Sequence, residues 1–187
     1  MTDETPPSSP AAATPDALFA RLDGLGIDYE THHHEPVFTV DEAKHLRGAL
    51  PGAHCKSLFI RDKKKICFLV VCLEDRRLDM KALAGLLDCG RLSFGSADRL
   101  RQRLGVTPGS VTPFAAINDE APEAPAGAVA KVQIVLDQEM MQAALVNYHP
   151  LINDMTTALS PDSLLRFLQS TGHEARIVDL AAASRED

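Results

Sequence analysis

The sequence predicts an α+β chain built on a curled, mixed β-sheet, and three observations carry that reading. Short strand-like apolar runs are scattered between isolated helical segments along the 187 residues. Two of those runs, 56–61 and 66–73, are joined by the polar tip Asp62-Lys63-Lys64-Lys65, the pattern of a β-hairpin. The regular strand–helix alternation of a doubly wound parallel fold is missing. A chain of this length buries roughly 70 % of its unfolded surface, so a real core is expected without disulfides or metals.

The elements follow in order. Residues 1–14 are Thr, Pro, Ser and Ala with two acids, too polar to bury much, and read as a disordered tail. Thr14-Pro15 is an N-cap and first helical position, with Leu18, Leu22 and Leu25 on one face and Gly26 as the stop. Residues 27–32 have strand character. Thr39-Val40-Asp41-Glu42 fits a capping box opening a helix that runs to about Gly48. After the hairpin come a helix at 79–87, a strand at 91–94 and a helix at 96–104. The loop Gly109-Ser110-Val111-Thr112-Pro113 leads into an apolar run at 114–117 that is read as a strand. Strands are expected at 131–136, 146–149 and 156–159, then a helix capped by Ser160-Pro161 and stopped by Gly172, then a strand at 175–180. The domain spans 15–180, and 181–187 is a short C-terminal tail.

The formal charge of −7 first argues against a nucleic-acid partner. It is unevenly spread. Residues 1–43 hold one Arg against nine acids, and 104–187 hold four basic residues against eleven acids. Residues 44–103 hold fourteen basic residues against six acids, so a local electropositive surface can steer a polyanion despite the total. No run of 18 apolar residues appears, and the N-terminus has neither a signal-peptide h-region nor an Arg-rich transit composition. The expected setting is the cytoplasm, away from membranes. Cys55, Cys67, Cys72 and Cys89 form no C-x-x-C pair, which disfavours structural zinc. His32-His33-His34 cannot converge on one ion from an extended strand, because adjacent side chains alternate faces.

The phosphate-binding, nucleophile-elbow and zincin signatures are absent. Lys56 opens an apolar strand instead of sitting at the hairpin tip. It either reaches a cleft, where an ammonium binds phosphate or stabilises an oxyanion, or snorkels at the surface. Gly109 to Pro113 offers unhindered amides on a constrained loop, or is only a turn. His149-Pro150-Leu151-Ile152-Asn153 places a His and an Asn around a proline bend, where His149 orients a ligand or water or is structural.

Read together, these segments resemble a known family. His34-x-Pro36-Val37-Phe38-Thr39 precedes the Glu-containing helix, followed by Cys-Lys56-Ser-Leu-Phe-Ile-Arg-Asp-Lys-Lys and Arg91-Leu-Ser-Phe-Gly-Ser. Then come Leu104-Gly-Val-Thr-Pro-Gly-Ser-Val-Thr-Pro-Phe114, His149-Pro-Leu-Ile-Asn153 and Thr156-Thr-Ala-Leu-Ser-Pro161. Each motif is modest alone, but their shared order over roughly residues 15–180 is similar to the YbaK/ProX family of aminoacyl-tRNA editing domains. The resemblance implies a curled mixed sheet or partial barrel surrounded by helices. It implies metal-free and cofactor-free hydrolysis of the ester joining an amino acid to the tRNA 3′-terminal ribose. The family's functional Lys falls on Lys56, its glycine-to-proline loop on Gly109 and Pro113, and its late His on His149. Substrate contacts are expected from Pro36, Val37, Phe38, Thr39, Ser110, Val111 and Asn153.

The stretch after Thr156 and the helix following it set the chain apart from the family's Cys-specific branch and imply alanine on tRNA-Pro as substrate. Under this reading Lys56 holds the terminal phosphate, the loop amides stabilise the oxyanion, and an ordered water attacks. The implied partner is the acceptor end of mischarged tRNA-Pro, with prolyl-tRNA synthetase or an elongation factor as transient partners of a monomer. Competing readings are a deacylase for Cys or Ser, a non-catalytic tRNA-binding adaptor, and a small-molecule hydrolase or thiol enzyme using Cys55 or Ser110.

Overall fold

The computed structural model describes residues 11–35, 50–119 and 131–185. The expected capping-box helix, with Pro36, Val37, Phe38 and Thr39, lies outside the described residues. The described chain runs α1 (Pro15–Gly24), β1 (Tyr29–His33), β2 (Ala53–Arg61), β3 (Cys67–Leu73), α2 (Met80–Leu86), β4 (Ser93–Phe94) and α3 (Ala97–Leu104). It continues through a 3-10 helix (Pro113–Asp119), β5 (Gln133–Asp137), β6 (Val146–Tyr148), β7 (Met155–Leu159), α4 (Pro161–Ser170) and β8 (Arg176–Val178). Short 3-10 turns at Met140–Gln142 and Leu180–Ala183 complete it.

Local chemistry explains the helix starts. Thr14, Asp79, Ser96 and Ser160 each accept a hydrogen bond from a first-turn amide, and Pro15 and Pro161 occupy positions whose N–H would be unpaired anyway. The hairpin forms as expected, with β2 and β3 antiparallel and Arg61 opposite Cys67.

One expected element differs. The apolar run at 114–117 belongs to a 3-10 helix, not a strand. Thr112 Oγ1 accepts from the Phe114 amide and Thr112 O from the Ala115 amide, which closes the turn. Pro113 sets the φ that starts it, and Phe114, Ala115 and Ala116 are all buried, so the apolar run carried no period to read. The body also extends past 15–180. The Ala13 amide donates to Asn118 Oδ1 at 2.7 Å, while Ala183 is fully buried and the Arg185 amide donates to Arg77 O.

The strands form one open mixed sheet in the order β1-β7-β6-β2-β3-β5-β8, with β4 also on β2. Parallel contacts join β2 to β6, β3 to β5 and β5 to β8; the other pairs are antiparallel. Both sheet faces are covered, and β3 shows it best. Cys67, Leu69 and Val71 enter a core with α1, α3, α4 and the 113–119 helix, while Phe68, Val70 and Cys72 enter a second core with α2 and the C-terminal turn.

The topology leaves a notch. On the edge of β2 away from β3, β6 pairs only with Ala53 and His54, and β4 only with Ile60 and Arg61. Among the described residues no strand pairs with residues 55–58 on that edge.

Candidate active site

A hollow of about 40 Å³ opens at the β6 side of the notch, lined by His54, Cys55, Ser57, Val111, Asn147, Tyr148, His149 and Thr156. Two larger depressions exist among the described residues, about 600 Å³ beside α1 and about 390 Å³ beside β5. The first has mostly aliphatic walls, with Arg21 its one charged group and that turned to Ser170. The second gathers Lys131 and His173, both of which bond other parts of the protein. The smaller hollow is where hydroxyl, amide and imidazole groups converge, and convergence of that kind marks a chemical site better than size does.

Each wall has a reason to be there. Asn147 directs its amide nitrogen to Pro51 O at 3.0 Å and Ala53 O at 3.2 Å, tying β6 to the start of β2. The bend after β6 is tight, with the Leu151 amide donating to His149 O across Pro150. Leu151 takes φ 72°, a costly conformation for leucine, and its burial in the core holds it there. That bend fixes His149, whose Nδ1 donates to Met155 O at 2.8 Å, so the neutral ring carries its lone pair on Nε2.

His34 is oriented in the same way. Its Nδ1 donates to Glu35 O at 2.8 Å and its Nε2 accepts from the Thr156 hydroxyl at 2.9 Å. The His34 and His149 rings stand 6.1 Å apart at 56°. His34 opened the first motif in the sequence without being a site candidate. Its role appears only through the β1–β7 pairing that sets His32 opposite Thr156.

The Gly109 to Pro113 loop meets this hollow through Val111. Gly109 has φ 93°, which a side chain would disfavour, and it is exposed. The Ser110 amide donates to Thr107 O, and Pro113 has no N–H, so the loop's remaining donors are the amides of Gly109, Val111 and Thr112. Asn153 lies half-buried in the same β6–β7 connection as His149.

Lys56 is placed differently. It sits opposite Cys72 in the β2–β3 register, and directly paired residues project to the same face. Cys72 belongs to the second core, whereas Cys55 and Ser57 line the hollow. Lys56 thus rises on the other side of β2, half-buried, at the same notch.

Cysteine chemistry is disarmed. Burial pushes the Cys55 thiol up to about 12 against the opposing pull of Tyr148 and the Asn147 amide, and burial pushes Cys72 up to about 11. Neither supplies a thiolate near neutral pH. Ser110 is buried.

Among the described residues, the basic residues of 50–103 do not share one face. Arg76 is consumed by Asp137 and Glu139 at one end of the hairpin, and Arg103 pairs with Asp119 at 3.2 Å. Arg61, Arg99 and Arg103 all act on the Cys67 thiol, so a narrower basic cluster gathers at the end that carries Lys63, Lys64 and Lys65.

A mixed α/β domain with a notched sheet, two oriented histidines, a glycine-to-proline loop and a lysine, but no activated thiol, defines a site for polar hydrolytic chemistry. The model of the aminoacyl-tRNA editing domain matches residues 34–167. The chain belongs to that family, the YbaK-type aminoacyl-tRNA editing domains, and is an aminoacyl-tRNA deacylase. It is 33 % identical over 165 residues to the prolyl-tRNA editing protein ProX of Acetoanaerobium sticklandii, covering 88 % of this chain and 96 % of the relative. It is 36 % identical over 168 residues to the prolyl-tRNA synthetase associated domain-containing protein 1 of Bos taurus, covering 87 % and 93 %. Among solved structures, one provisionally assigned as a trans-editing enzyme for prolyl tRNA synthetase aligns with TM-score 0.62 at 21 % identity, covering 94 % of this chain and 98 % of that one. At that identity the likeness speaks for the fold, and the mixed sheet with surrounding helices is the same.

Proposed function

We propose that this protein acts in trans to hydrolyse alanine from mischarged tRNA-Pro. The observation that carries the reading is its relation to a prolyl-tRNA editing protein over nearly the full length of both chains. The dimensions of the hollow support a small amino acid. About 40 Å³ exceeds the roughly 10–15 Å³ that one water needs, yet gives little room for a proline ring. Steric refusal of a larger group is more effective than preference for a smaller one.

The chemistry needs no covalent enzyme intermediate. Water oxygen bonds to the ester carbonyl carbon and gives up a proton, the bond from that carbon to the ribose oxygen breaks, and the departing ribose oxygen takes up the proton. The amides of Gly109, Val111 and Thr112 supply oxyanion donors, one of which is typically worth about 3–4 kcal/mol of barrier. Lys56, on the opposite side of β2 from the hollow, suits a phosphate of the terminal nucleotide better than the carbonyl itself. His149 and Asn153 shape the pocket, and Pro36 to Thr39 and Ser110 complete the substrate contacts. The enzyme works as a cytoplasmic monomer that meets prolyl-tRNA synthetase or an elongation factor only transiently.

Deacylation of a panel of RNAs tests this, first varying the amino acid on tRNA-Pro and then varying the tRNA under alanine. Alanine on tRNA-Pro should be hydrolysed fastest and proline spared. Preference for Cys or Ser, or binding without turnover, would overturn the assignment.

A further inference from the structure

Phe94 is 65 % exposed, the most exposed large apolar side chain among the described residues. Lone apolar residues are ordinary on surfaces. Phe94 differs in how firmly it is held. Its strand is only Ser93–Phe94, yet Phe94 pairs with Ile60 and Ser93 with Arg61. The Gly95 amide donates to Phe59 O at 2.9 Å. A Cβ at Gly95 would lie 2.4 Å from Phe59 Cδ1, so only glycine lets the backbone rest on that ring. Leu92 is buried just before the strand, and Ser96 caps α3 just after it. An aromatic ring is thus presented to solvent on a backbone anchored at both ends.

Its face is the one that carries Lys56: Phe94 lies opposite Ile60, and Ile60, Leu58 and Lys56 project to one side of β2, whereas Arg61, opposite Ser93, projects to the other side with Phe59. The nearby acids are engaged elsewhere: Asp62 accepts from the Ile66 amide, and Asp98 faces Arg101. Ile60, the partner of Phe94, is four residues along β2 from Lys56, or ~13 Å at ~3.3 Å per residue. That matches roughly four stacked nucleotides at ~3.4 Å each.

The geometry points to Phe94 as a stacking platform for an unpaired RNA base three or four nucleotides before the aminoacylated end, on the same face of β2 as Lys56. Aromatic rings held rigidly at a surface stack single-stranded bases in this way. The inference rests on an aminoacyl-tRNA being the substrate, but its test is separate from the test of alanine specificity.

The probe is an uncharged RNA hairpin with a four-nucleotide single-stranded 3′ end, compared with the same hairpin made blunt, by fluorescence anisotropy. Phe94→Ala should bind the overhang hairpin about tenfold more weakly with an unchanged salt slope, and should bind the blunt hairpin as the wild type does. Phe94→Trp should restore binding. Unchanged overhang binding by Phe94→Ala, or an equal loss on both hairpins, would overturn the platform and leave Phe94 to a protein contact or to the fold. A wild type that binds the overhang but hydrolyses no alanyl ester would sink the substrate reading and leave the platform standing.

Discussion

Two polar clusters sit at opposite ends of the same seven-residue 3-10 helix, Pro113–Asp119, and are built in opposite ways. At its far end, Asp119 accepts from the Val132 amide at 2.6 Å, from Arg103 at 3.2 Å and from His173 at 3.2 Å. His173 in turn meets the Thr171 hydroxyl at 2.9 Å. Asp119, Thr171 and His173 are buried. At the near end, Val111, Ser57, His149 and Thr156 are half-buried and enclose a hollow. A buried polar network with every partner supplied by the chain contributes stability, whereas groups ranged around a hollow are arranged for something that arrives.

Substitutions should divide along this line. The largest effect is expected from Lys56→Ala, which should slow alanyl-ester hydrolysis by about 100-fold or more while the melting temperature stays put. If Lys56 acts on a phosphate, much of that loss should appear as a raised KM in steady-state kinetics. Full activity would remove it from the site.

Asp119→Asn tests the other cluster and should lower unfolding free energy by about 3 kcal/mol, read by urea denaturation, with kcat little changed in the folded fraction. Burial alone would raise the Asp119 carboxyl, but His173, the Val132 amide and Arg103 together hold it below its ordinary value of 3.8. Its contribution is therefore present above that value and lost as pH falls through the depressed one. The stability gap between wild type and variant should narrow as pH falls below 3.8, and a gap that persists unchanged in acid would assign the loss to packing.

A smaller effect is expected at Val111. Val111→Phe should fill the hollow and reduce kcat/KM for alanine by about tenfold, with binding of uncharged RNA intact. Equal losses in hydrolysis and in RNA binding would mean that the loop itself had been displaced.

The smallest contrast is at the N-terminus. Removing residues 1–10 should change neither activity nor stability. Thr14→Ala should cost about 1 kcal/mol through the lost cap on α1, measured by thermal melting.

Much of this architecture was legible from local rules. Caps such as Thr14 and Ser160 and the two-run hairpin depend on neighbours in sequence, and they stand where they were expected. The 113–119 segment failed that test because four consecutive apolar residues, Phe114 to Ile117, have no period to distinguish helix from strand. The site was legible as motifs, but not as an arrangement. Lys56 and Ser57 must project to opposite faces of a strand, but only the pairing of Lys56 with Cys72 decides which face each takes.

The order of strands likewise escaped local reading, since β2 is joined in parallel to β6, about 90 residues later in the chain. The sequence by itself determined the class of fold, the caps, the uneven charge and the family to which the motifs belong, because these follow from side-chain chemistry and short-range geometry. Tertiary structure decided which of the basic residues of 50–103 are consumed by buried acids, how the notch opens and which residues face it. Those outcomes depend on the long-range pairing and packing of segments that no local pattern encodes.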